Sequence, residues 1–159
     1  MYVQLLKRTA QFLVSVGVVL AAGQLGSLAT IPKIDTWYEA LTKPPFLPPN
    51  EVFGPAWGML YILTGLALFL VWIAPKKQAG LAYVAFFVQL ILNTAWSWAF
   101  FGLQSPWLGV VVILLLIAAI VLTMREFAKI SRPATGLFVP YLAWVLFATY
   151  LTVGVAILN

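Results

Sequence analysis

The sequence predicts an all-α integral membrane protein: a single domain of five transmembrane helices, with a long lid loop between helices 1 and 2. Three observations carry this. The 159 residues are 64% hydrophobic, with only 9 Lys/Arg and 4 Asp/Glu, which is too little charge to cover a soluble domain. Apolar runs of about 18 residues or more, enough to cross a hydrocarbon core, recur five times with charges only near their ends. These runs lack the strict two-residue alternation of barrel strands, so helices, which pair every backbone amide within one segment, are the solution open to them in lipid.

The first run, residues 9–31, follows Lys7 and Arg8 and has some of the features of a signal peptide. It is longer than a signal core of ~7–15 apolar residues and leads straight into the lid, so it is read as a retained helix. Ala22 and Gly26 in it have the small-xxx-small spacing that lets helices approach closely, for tight packing or for dimerisation. Residues 32–51 hold Trp37-Tyr38, Leu41, Lys43-Pro44-Pro45 and Pro48-Pro49. A polar, proline-stiffened connection of this length is unusual between helices and is expected to cover something.

The second run, residues 52–74, carries Phe53, Trp57, Tyr61 and Thr64 at i, i+4, i+8 and i+11, one helix face and a candidate pocket wall. The third, residues 79–101, aligns Gln89, Asn93, Trp96 and Phe100. Its two carboxamides either join helices by hydrogen bonds or orient a ligand. The fourth, residues 106–124, has no polar side chain from 109 to 122 and is expected to be peripheral and lipid-exposed. The fifth, residues 135–158, presents Tyr141, Trp144, Ala148 and Thr152, with Pro140 near its start. Trp72, Trp98 and Trp107 lie near span ends, where indoles anchor at headgroups. Trp57 and Trp144 lie deeper, on stripes shared with Tyr, Thr or Ala, and either pack the bundle or contact a ligand.

Charge sets the orientation. Lys7, Arg8, Lys76, Lys77, Arg125, Lys129 and Arg132 fall on one side of the five spans and only Lys33 and Lys43 on the other, so the N-terminus is expected in the cytoplasm and the C-terminus and lid on the opposite face. The net charge of +5 is then mostly a topology signal; no clustered basic surface for nucleic acid is visible. The absence of Cys and His excludes disulfides, thiolate nucleophiles, zinc sites, His-ligated haem and histidine triads. No ionisable side chain lies mid-span, which argues against ion-coupled transport.

Trp37-Tyr38, Leu41, Lys43-Pro44, Pro48-Pro49, Trp57, Tyr61, Asn93, Trp96, Phe100-Phe101-Gly102, Pro140-Tyr141, Trp144 and Ala148-Thr149 occur in order over nearly the whole chain. In these it resembles the TspO/MBR family, the tryptophan-rich sensory proteins and translocator proteins, also known as peripheral-type benzodiazepine receptors. The resemblance implies a five-helix bundle, often a homodimer, whose lid-side cavity binds porphyrins, sterols such as cholesterol and synthetic drugs. It assigns Tyr38 and Pro48 to the lid, and Trp57, Tyr61, Asn93, Ser97, Trp144 and Ala148 to the helices around the ligand. Trp96 is part of the same pattern. Two departures stand out. Thr152 occupies a position where the family commonly has Asn, and no Lys or Arg follows Tyr150, leaving the animal cholesterol pattern incomplete. A tetrapyrrole is therefore expected over a sterol.

The leading expectation is a receptor or sensor that holds a protoporphyrin IX-like ring by stacking, with Asn93 and Thr152 as orienting groups and no cofactor or metal required. The alternatives are light- and oxygen-dependent porphyrin degradation, with Trp57 and Trp144 as the reactive (catalytic) side chains, and translocation of the ligand. No acid, base, nucleophile or metal constellation supports other chemistry.

Overall fold

In the computed structural model, which describes residues 2–75 and 79–159, the five spans are helical. Helix α1 runs Tyr2–Lys33, α2 Asn50–Trp72, α3 Gly80–Ser97, α4 Pro106–Ala128, α5 Arg132–Leu137 and α6 Val139–Leu158. Span one continues through a wide turn, Ile34–Tyr38, and span three through another, Trp98–Gly102. The expected basic pair Lys76-Lys77 lies outside the described residues.

Proline chemistry explains several boundaries. Pro140 lacks the N–H that would bond the Gly136 carbonyl, and the fifth span breaks at Phe138 between α5 and α6. It begins at Arg132, behind a Ser131 cap whose side chain accepts from the Ala134 amide. Pro106 starts α4, where a missing N–H costs nothing. Pro32 lies inside α1, and the helix passes it and widens at residues 34–38 instead of stopping. The expected loop over residues 32–51 is therefore corrected: its first residues are helical, α2 begins at Asn50, and the connection is residues 39–49.

The spans close in the order one, two, five, four, three and back to one. Glycines set the closest approaches. A Cβ on Gly65 would lie 2.7 Å from the Val16 backbone, and one on Gly26 would lie 3.1 Å from Ser97 Oγ. Thr94 donates to the Ala22 carbonyl at 3.0 Å and the Trp98 indole to Leu25 at 3.0 Å. The small residues of α1 thus serve packing within the chain, against α2 and α3. Trp98 ties two helices together, while Trp72 and Trp107 remain exposed. The lower core is built from Phe86, Phe127, Phe138 and Tyr141 with Ile113, Leu116 and Ile120. The last three belong to α4, so the expectation that this helix is merely peripheral is corrected. Its leucine-rich outer face is exposed, but its inner face packs on α3 and α6.

Candidate ligand cavity

On the side of the bundle where α1 ends and α2 begins, the helices part around a cavity of about 510 Å³, within the range for small-molecule sites. Gly65 and Val16 hold α1 and α2 together deeper in the bundle, while Gly54 and Gly58 on α2 face open space with nothing within 4 Å of a built Cβ. The floor is a hydrogen-bonded relay across three spans. Tyr61 donates to Asn93 Oδ1 at 3.0 Å, Asn93 Nδ2 donates to the Tyr141 hydroxyl at 3.2 Å, and Tyr141 donates to Gln89 Oε1 at 3.0 Å. Both carboxamides therefore join helices, and Asn93 also borders the cavity.

One wall is aromatic. The Trp57 ring lies 5.6 Å from Tyr61 at 29° and 6.3 Å from Trp96 at 33°, and Trp96 lies 5.8 Å from Phe100 at 23°. Four rings from α2, α3 and the turn after α3 thus form an unbroken chain of aromatic contacts along the cavity. The Trp57 indole N–H has no hydrogen-bond partner among the described residues, and Trp96 Nε1 is buried without one. Phe101 and Tyr38 close the end nearest the connection.

Eight of the expected residues line this space: Tyr38, Trp57, Tyr61, Asn93, Trp96, Ser97, Ala148 and Thr152. Thr152 is buried and its hydroxyl donates to the Ala148 carbonyl at 2.8 Å, which leaves it no donor with which to orient a ligand. Pro48 and Trp144 are outside the lining. Trp144 lies about 60° around its helix from Tyr141, and the Phe53 and Trp57 rings intervene at 5.8 and 6.4 Å. It faces a shallow outer groove with Ala56, Met59 and Phe147. Sequence reasoning missed the α1 wall: Leu20, Gly23, Gln24, Ser27, Thr30, Ile31 and Ile34. Their three-to-four-residue spacing was legible, but the small residues among them drew the reading toward packing.

Residues 39–49 are strapped to α6. The Thr42 amide donates to Asn159 Oδ1 and Asn159 Nδ2 donates to the Thr42 carbonyl, both at 2.9 Å. The Tyr150 hydroxyl donates to the Pro45 carbonyl at 2.9 Å. Pro44 is buried over Gly154, where a Cβ would lie 2.6 Å from its ring. Lys43 Nζ lies 5.0 Å from the centroid of the Tyr38 ring, a cation–π distance.

The model of the TspO/MBR family matches residues 15–158. The chain is 46% identical over 149 residues to the tryptophan-rich protein TspO of Chlorobaculum tepidum, covering 91% of this chain and 92% of that protein. It is 43% identical over 145 residues to the same-named protein of Archaeoglobus fulgidus, covering 91% and 94%. With the translocator protein of Homo sapiens it shares 38% identity over 121 residues, covering 72% and 70%. With five apolar helices of membrane-spanning length, and sequence matches that run through all of them, the chain is a multi-pass integral membrane protein and belongs to the TspO/MBR family.

Proposed function

We propose that the protein is a membrane receptor for a flat, apolar tetrapyrrole of the protoporphyrin IX type, held in the cavity between α1, α2, α3 and α6. The observation that carries this reading is the unbroken run of ring contacts Tyr61, Trp57, Trp96 and Phe100 along the cavity, since an aromatic lining rewards a flat apolar ligand that can pack against it. Binding needs no axial ligand, so metal-free and iron porphyrin bind about equally. The receptor works as a homodimer in the bilayer, with its N-terminus cytoplasmic and its C-terminus and the residues 39–49 on the other side. Titration of the reconstituted protein with protoporphyrin IX, read by quenching of tryptophan fluorescence, tests the reading. Trp57→Ala and Trp96→Ala should each weaken binding, by about 1–3 kcal/mol if a stacked face is lost. Unchanged affinity in both would remove the aromatic wall as the binding surface.

A second reading is favoured by the 6.4 Å contact of Trp57 with Trp144: light- and oxygen-dependent breakdown of the bound ring. Trp57 donates an electron to the photoexcited porphyrin, dioxygen adds at a meso carbon of the reduced ring, and an electron returns from the adduct to Trp57 as the second oxygen closes a dioxetane. Its O–O and C–C bonds then break to two carbonyls, so porphyrin and dioxygen are consumed one to one and Trp57 is restored, while Trp144, at 6.4 Å, shares the hole in the meantime and slows its recombination. Stoichiometric recovery of porphyrin after illumination would leave a receptor only.

A further inference from the structure

Gln24 is the polar side chain of the α1 wall that the fold leaves without a hydrogen bond. It lies within α1, in an apolar span, and lines the cavity. It is exposed and forms no hydrogen bond among the described residues. The two hydroxyl-bearing residues on this wall are satisfied by the preceding turn: Ser27 donates to the Gly23 carbonyl and Thr30 to the Gly26 carbonyl, at 3.0 and 3.2 Å. Asn93 is engaged in the relay on the opposite side. Gln24 lies about 14 Å along the helix from Lys33, in the apolar part of the span, where a carboxamide is placed at a cost unless it faces protein, water or a ligand in the cavity.

The facing wall of α2 is open at the same depth. Gly58 lies about 12 Å along its helix from Asn50, and neither Gly54 nor Gly58 has a neighbour over its Cα. Gln24 therefore borders the space in which a ligand lies. The charge around it narrows the chemistry. No Lys or Arg lines the cavity among the described residues, and its one charged lining residue is Glu51. A carboxylate would meet no cation here and one like charge. An un-ionised carboxylic acid would instead meet a carboxamide that offers both an N–H donor and a carbonyl acceptor, the complement of its own C=O and O–H.

We propose that Gln24 is a specificity-determining residue of the cavity, whose carboxamide forms a two-point hydrogen-bonded pair with an un-ionised carboxylic acid carried on a flat apolar ligand. This rests on the tetrapyrrole reading above. The test compares protoporphyrin IX, which carries two propionic acid groups, with etioporphyrin, the same macrocycle bearing only alkyl groups, on protein reconstituted in neutral phosphatidylcholine vesicles. The wild type should prefer the acid. Gln24→Leu should lower protoporphyrin IX affinity about tenfold and leave etioporphyrin affinity unchanged, so that the preference collapses. Retained etioporphyrin binding also shows that the variant is folded, and Gln24→Met provides a second apolar side chain of the same length. The ligand-free Gln24→Leu protein should melt no lower than wild type, since its Gln is unpartnered; a structural Gln would lower the melting point on removal. Equal change for both porphyrins, change for neither, or no wild-type preference for the acid would overturn the role of Gln24 with the cavity reading intact. Failure of the wild type to bind either porphyrin would instead remove the tetrapyrrole reading and this proposal with it.

Discussion

A glycine's cost of replacement depends on what faces it, and α1 and α2 offer a matched pair. A Cβ on Gly23 would lie 2.3 Å from Tyr61 Cε2, whereas one on Gly58 meets nothing within 4 Å. Gly23→Ala should displace the Tyr61 ring from the relay and destabilise the protein by about 1–3 kcal/mol, seen as a lower melting temperature in detergent. Gly58→Ala should be neutral or stabilising by up to ~1 kcal/mol, since alanine favours the helix. Comparable losses in the two variants would mean that Tyr61 yields easily. The two inner tryptophans differ in the same way. Trp57→Phe should weaken porphyrin binding by at most ~1–2 kcal/mol, through loss of an indole N–H contact. Trp144→Phe, which replaces a ring outside the lining, should leave affinity unchanged. If the electron path operates, both substitutions slow light-dependent breakdown. Full breakdown in the Trp57→Phe, Trp144→Phe double variant would eliminate it.

At the scale of elements, the connection between α1 and α2 is held by contacts to α6 and by its own prolines. Asn159 grips Thr42 through two hydrogen bonds, Tyr150 holds the Pro45 carbonyl, and Pro44 is seated on Gly154. The Tyr150 and Asn159 bonds to the connection are exposed, so each contributes at most about 1 kcal/mol. Combining Tyr150→Phe with Asn159→Ala should loosen the strap and speed porphyrin release in stopped flow, with little change in melting temperature. Replacing Pro44 and Pro45 with Gly should act in the same direction by widening the conformations open to the segment. An unchanged off-rate beside a large drop in melting temperature would make this a structural brace with no control over the ligand.

For the whole molecule, five spans put the two ends of the chain on opposite faces, and in the sequence Lys7, Arg8, Lys76, Lys77, Arg125, Lys129 and Arg132 on one side of them outnumber Lys33 and Lys43 on the other. Single cysteines at Lys7 and Asn50, introduced into a chain that has none, should react with an impermeant maleimide from opposite sides of sealed vesicles, Asn50 from the outside of intact cells. Labelling of both from one side would reject the proposed orientation.

Much of this architecture was legible in the sequence. Lipid demands long apolar helices, and five such runs can be counted; helical periodicity then placed Phe53, Trp57 and Tyr61 on one face, and Asn93, Trp96 and Phe100 on another. Local physics acts on residues a turn apart, and these stripes are local. Tertiary structure alone decided which stripes face one another. It turned Trp144 behind Trp57, spent the Asn93 carboxamide on Tyr61 and Tyr141, and carried the first span past Pro32 and through a wide turn to Tyr38. It also parted α1 from α2 above the Gly65–Val16 contact, making Gln24 part of a cavity wall. The cavity, the relay and the place of Trp144 depend on the distance between two helices, a quantity set by glycines and bulky rings on segments far apart in the chain, and therefore one that no single run of residues encodes.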